Sequence, residues 1–144
     1  LEDHKRPLNA RGRKSATALG HWMRQKGYTP GRALVSTSTR TRETWEGLAF
    51  SGTDAEFRDT LYNASAEILL AAVAESETRD LLIIAHNPGI AIAAAYLCPR
   101  APDHPRFQDY PTGATLVLDR HGDSWTLTDF VVPRDLVPED DGAP

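Results

Sequence analysis

The chain is poor in cysteine and in positive charge, and it has no long apolar run. A single cysteine, Cys98, cannot close an internal disulfide. It sits in the run IAIAAAYLC, where it reads as a small buried hydrophobe, and such sparse usage suits a reducing compartment. Sixteen Lys and Arg against twenty Asp and Glu leave a formal charge of −4, so no broad basic field exists to hold nucleic acid. No apolar stretch approaches the roughly 18 residues of a membrane span, and no signal-peptide pattern is present. The expected location is the cytoplasm, with neither nucleic acid nor membrane as a partner. His4, His21, His86, His104 and His121 show no i,i+4 pairing and no cysteine at metal-ligand spacing, so neither a metal site nor a cofactor is expected. A G-x-S-x-G elbow is missing. Gly-Arg-Lys-Ser at 12–15 lacks both the glycine before lysine and the leading strand of a phosphate-binding loop.

What remains is an ordinary globular composition: 144 residues, 40% hydrophobic and 25% charged, enough for one domain with a buried core. Residues 1–9 are polar and proline-broken and read as a loop. Asn9 stands at an N-cap before 10–26, where Ala16, Leu19, Trp22 and Met23 share a helical face and Gly27 supplies the stop. ALVS at 33–36 is a short apolar strand. Residues 37–50 begin with hydroxyl side chains able to cap, then place Trp45, Leu48 and Ala49 at helical spacing. AEFRDTL reads as a strand, and SAEILLAAVAESE as an amphipathic helix with a serine cap. DLLIIAH is a continuous apolar run, the signature of a strand buried on both faces. NPGIAIAAAYLC opens a helix with Pro88 in its first turn. After a proline-rich loop at 101–113, ATLVLD and SWTLTDFVV alternate around Arg-His-Gly-Asp, with Gly122 and Asp123 as turn formers: a C-terminal hairpin. This order predicts a three-layer α/β/α sandwich on a mostly parallel central sheet. It forms a single domain over 1–132, with 133–144 as an acidic tail.

Ligands of open α/β sheets bind beyond the carboxyl ends of the strands, and two segments deliver chemistry there. In IIAHNPG, His86 closes the buried strand, and the following helix start turns backbone N–H groups toward the same crevice, with Asn87 at its mouth. In VSTSTRTRET, a strand end is followed by Arg40 and Arg42. Two residues apart on a helix, these arginines point to nearly opposite sides, so one of them at most enters the crevice. The planar guanidinium fork suits phosphate. Arg6, fixed by Pro7 ahead of the Asn9 cap, is a third candidate contact. Arg11, Arg13 and Lys14 read as a solvated basic face.

In order, RPLNARG, STSTRTRET, LYNAS, AHNPG, YPTGATLVLD and DFVVP resemble the histidine phosphatase superfamily, and within it the small SixA-type phosphohistidine phosphatases. The resemblance covers nearly the whole chain. It implies a phosphoglycerate-mutase-like fold and a metal-independent phosphatase that works through a phosphohistidine intermediate. The substrate implied is a phosphorylated protein, protein phosphohistidine in particular, or else a small phosphorylated molecule. Carried over by position, Arg40 clamps the phosphoryl oxygens, His86 hydrogen-bonds the transferring group, and Arg6, Asn9 and Asn87 flank the phosphate. An acidic proton donor common in the wider family has no match in RDTLYNASAE.

The family's nucleophile, a histidine in an Arg-His motif, lies on an opening strand upstream of the segment matched by RPLN. The α/β alternation independently calls for a strand before the first helix. The expectation is therefore a chain whose first strand and nucleophile lie before Leu1; without them, the fold would be a phosphate-binding module. The Arg-His-Gly at 120–122 copies that motif, but six residues of strand from Gly113 would carry His121 roughly 20 Å from the crevice. His121 is expected at a hairpin tip.

Overall fold

The computed structural model describes residues 2–137. Asn9 caps the first helix, α1 (Ala10–Lys26), its side-chain oxygen accepting from Gly12 N–H at 2.8 Å. Gly27 ends the helix at φ 80°, a left-handed conformation that glycine adopts without strain. Strand β1 (Arg32–Ser36) leads into α2 (Thr39–Leu48), capped by the buried Ser38, whose side chain accepts from Thr41 N–H. The extended part of AEFRDTL is β2 (Asp54–Arg58). Its remainder folds as a 3-10 turn over Asp59–Leu61, which drops Leu61 into the core at 1% exposure. Ser65 caps α3 (Ala66–Glu75) as expected. Strand β3 (Leu81–Ile84) precedes α4 (Gly89–Leu97), with Pro88 at the N-cap, one position earlier than its expected place in the first turn. The hairpin consists of β4 (Thr115–His121) and β5 (Ser124–Val131), turning at Gly122 (φ 64°).

The strands β2, β1 and β3 form a parallel sheet in that order, with Val35 opposite both Phe57 and Ile84. Alternation along the strands sorts the core into two layers. Leu81 and Ile83 join Leu34 against Leu69, Ala72 and Ala93 of α3 and α4. Leu82 and Ile84 pack on the other side with Leu19, Met23 and Leu48 of α1 and α2. The sandwich read from the sequence is thus present. Its hairpin forms a second, two-stranded antiparallel sheet whose Leu116, Leu118 and Phe130 pack over Ala94, Cys98 and Tyr110. Cys98 is buried there, as expected.

Three features differ from the sequence reading. All four residues of β3 are half-buried rather than enclosed, because among the described residues β3 pairs with β1 alone and its other edge has no strand beside it. Residues 133–136, expected to begin a tail, form a helical turn, α5 (Pro133–Leu136), whose Leu136 packs against the cluster of Leu19 and Val131. The acidic stretch 138–144 lies outside the described residues. Finally, the N-terminal loop contains a 3-10 turn over Asp3–Lys5, which has consequences for the crevice.

Candidate active site

The crevice lies at the carboxyl ends of β1 and β3. Ser36, the last residue of β1, is fully buried, and its Oγ lies 2.8 Å from His86 Nε2. The chain then turns through Thr37 and the Ser38 cap, which sets Arg40 in the first turn of α2. The Arg40 guanidinium grips Asp3 from the N-terminal 3-10 turn, with Nη1 3.2 Å from Oδ1, Nη2 3.4 Å from Oδ2, and Nη1 donating to the Asp3 carbonyl at 3.1 Å. Tyr62 donates its hydroxyl to Asp3 Oδ2 at 2.5 Å. The Tyr62 ring stands perpendicular to His86 at 5.3 Å between centroids, and perpendicular to His4 at 4.7 Å. His4 Nε2 lies 2.9 Å from Thr37 Oγ1, whose hydroxyl donates to Asp59 at 2.7 Å. Two strand ends, one helix start and two 3-10 turns therefore bring together two carboxylates, a guanidinium, two imidazoles and a phenol.

These groups shift one another. Burial holds the His86 imidazole below its usual 6.5, and the nearby Arg40 guanidinium adds to the effect, so the ring is neutral at neutral pH. The Tyr62 hydroxyl and Arg40 hold the Asp3 carboxyl below the usual carboxylate range, while the bond to Asp3 pushes the Tyr62 phenol up. An ionised carboxylate on an arginine fork has the shape and charge of half a phosphoryl group. The Nη1 and Nη2 edge of Arg40 is taken by the Asp3 carboxylate and carbonyl.

No family model matches the chain. An uncharacterized protein of Mycobacterium leprae is 31% identical over 149 residues, covering 93% of this chain and 91% of the relative. An uncharacterized protein of Mycobacterium tuberculosis is 33% identical over 101 residues, covering 67% of this chain and 62% of its own length. Two solved structures assigned as SixA phosphohistidine phosphatases superpose closely. The one from Agrobacterium tumefaciens has a TM-score of 0.79 at 28% identity, covering 92% of this chain and 87% of its own. The other, from Nakamurella multipartitia, has a TM-score of 0.78 at 27% identity, covering 92% and 88%. The chain belongs to the histidine phosphatase superfamily, on its SixA branch. A third structure, the protein histidine phosphatase SixA complexed with tungstate, shares the fold at 23% identity and a TM-score of 0.73, covering 95% of this chain and 90% of its own.

Within this SixA-type fold, the structure gathers Arg40 and His86 and distributes the other expected residues around them. Of the two arginines, of which the spacing allows one at most in the crevice, Arg42 is the one that turns away: its Nε donates to the Thr37 carbonyl, and its guanidinium lies over Phe57 at 4.4 Å. Asn9 spends its side-chain oxygen on the α1 cap. Asn87 donates to the Tyr110 carbonyl at 3.0 Å, tying the end of β3 to the loop before the hairpin. Arg6 is exposed beside the 3-10 turn and adds positive charge near Asp3. At the start of α4, the Ile90 N–H is committed to the His86 carbonyl at 2.9 Å, so this helix offers fewer donors to an anion than its sequence suggested. His121 is exposed at the far end of β4, the hairpin tip expected of it. Sequence reasoning missed Asp3, His4, Ser36 and Tyr62. Only Ser36, the buried serine that closes a strand, carried a local signal that could have marked it.

Proposed function

We propose that the protein is a phosphatase that removes a phosphoryl group through a phosphohistidine intermediate, and that its substrate is protein phosphohistidine. The observation that supports this most is the convergence of Arg40 and neutral His86 on one crevice at the strand ends. Phosphoryl transfer is governed by positioning and charge stabilisation, and it asks the protein for fixed donors around the transferring group. Arg40 supplies a full positive charge and a fork. Its Nη1/Nη2 end is engaged by Asp3, and in this reading its Nε edge meets the equatorial phosphoryl oxygens. His86, held by Ser36, takes up a proton as the dianion arrives, since a nearby negative charge favours the imidazolium. The open rim, where Asp3 and Asn87 are exposed, suits a side chain presented on a protein surface better than an enclosed small molecule.

The nucleophile belongs, in this reading, to a strand outside residues 1–144 that pairs with the open edge of β3 and ends in histidine beside His86. The test uses the complete protein. Arg40→Ala and His86→Ala are each expected to lower turnover on phosphohistidine protein by about 10²–10³, the usual loss for one transition-state donor. Near-unchanged turnover in both variants defeats the proposal. Binding of phosphate without any turnover by the unsubstituted protein would instead make it a phosphate-binding module. Faster hydrolysis of small phosphate esters than of phosphohistidine protein would move the substrate to small molecules.

A further inference from the structure

The proton that the departing group needs has no acidic donor at its family position, yet a second histidine stands at the crevice in a hydrogen-bonded chain. We propose that His4, backed by Thr37 and Asp59, is the general acid and base of the phosphatase. This rests on the phosphatase reading above. The Thr37 hydroxyl has one proton and donates it to Asp59 at 2.7 Å, so its oxygen accepts from His4, whose Nε2 lies 2.9 Å away. Nε2–H is therefore committed, and Nδ1 is the exchangeable position of the ring. A carboxylate at the far end of the chain fixes the Thr37 hydroxyl and, through it, the orientation of the His4 ring, as an orienting group does for other acid–base histidines. Perpendicular packing on Tyr62 at 4.7 Å fixes the ring plane, and the same Tyr62 ring holds His86 at 5.3 Å. Around this position stand the Tyr62 ring, His86 within electrostatic reach, and, on Thr37, Asp59 and the Arg42 guanidinium. Its chemistry is unlike that of His86, whose Nε2 meets a buried serine beside the arginine.

The two steps balance. In the first, the nucleophilic histidine nitrogen forms a bond to phosphorus, the bond from phosphorus to the substrate atom breaks, and that atom keeps the electron pair and takes the proton from His4 Nδ1. In the second, neutral His4 accepts a proton from water as the water oxygen bonds to phosphorus. The phosphorus–nitrogen bond then breaks, releasing phosphate and restoring both histidines.

A general acid matters in proportion to how poorly the substrate atom leaves, so the complete protein is assayed on an alkyl phosphate and on 4-nitrophenyl phosphate. His4→Gln preserves a donor for Thr37 and cannot donate a proton as an acid. It is expected to slow alkyl phosphate hydrolysis by about 10²–10³, the range typical of a lost acid, and to slow 4-nitrophenyl phosphate by only about threefold, since nitrophenolate departs unprotonated. Asp59→Asn is expected to show the same asymmetry in weaker form. Equal losses on both substrates would make His4 a structural residue, and no loss on either would exclude it from the mechanism; each result overturns the proposal. Arg40→Ala, which acts on the phosphoryl group itself, should slow both substrates alike. If the unsubstituted protein hydrolyses neither ester while it still turns over phosphohistidine protein, the His4 proposal is overturned and the phosphatase reading stands; if it turns over none of the three, both fall.

Discussion

His86 couples the site to pH through its environment. Its pKa lies below 6.5 in the folded chain, chiefly through burial, so between the folded value and 6.5 the unfolded state binds more protons. Stability therefore rises with pH across that window and is lost as pH falls through it. The carboxyls of Asp3 and Asp135, both held below 3.8, act at more acid pH and leave the window to the imidazole. His86→Gln is expected to flatten the dependence of the melting temperature between about pH 7 and pH 5; an unchanged slope in thermal denaturation would reject this account. His121, exposed at the hairpin tip, serves as the control for the site: His121→Ala should leave turnover as it is. At this scale the sequence was partly legible. Arg40 and His86 could be found because strand ends and helix starts have local signatures. Asp3, Tyr62 and His4 could not, because their contacts span 37, 59 and 33 residues of chain and exist only once the sheet has brought those loops together.

At the scale of elements, helix ends were the most legible feature. Asn9, Gly27, Ser38 and Ser65 each stand where their own chemistry ends or begins a helix. Strand ends were less so: AEFRDTL reads as strand throughout, yet the chain turns after Arg58 because Leu61 gains more by burial than by extension. How closely the helices approach was not legible at all. A Cβ on Gly20 would lie 2.3 Å from the Leu48 carbonyl oxygen, and one on Gly47 would lie 2.7 Å from the Ala16 Cβ, so α1 and α2 cross with backbones nearly touching. Because α2 carries Arg40 in its first turn, this crossing also sets the height of the guanidinium over the crevice. Gly20→Ala is expected to cost about 1–3 kcal/mol by overpacking, beyond the roughly 1 kcal/mol that alanine returns in helix propensity. Urea denaturation would show it as a lower midpoint at unchanged slope. A neutral result would mean that α1 slides freely on α2.

For the whole molecule, the governing feature is the edge of β3, beside which no strand lies among the described residues. The strand is Leu-Leu-Ile-Ile, short, apolar and without a charge or proline to discourage pairing. It ends two residues before His86. Natural sheets protect such edges, and an unprotected one offers a row of N–H and C=O groups to any extended chain. The opposite edge, β2, contrasts with it, carrying ion pairs from Arg58 to Glu56 and Glu75. One sheet thus has a guarded rim and an unguarded one, which is expected if the unguarded rim is an interior seam that receives a further strand in the working phosphatase. Two consequences can be measured. Residues 1–144 on their own are expected to self-associate with rising concentration in light scattering, while a polypeptide carrying the additional strand remains at one size. Amide exchange should agree: the β3 N–H groups that do not bond to β1 exchange quickly in the shorter chain and become protected in the longer one. Slow exchange along the whole of β3 in residues 1–144, together with a constant molecular mass, would show that this edge is closed from within, and the nucleophile would then have to be sought elsewhere.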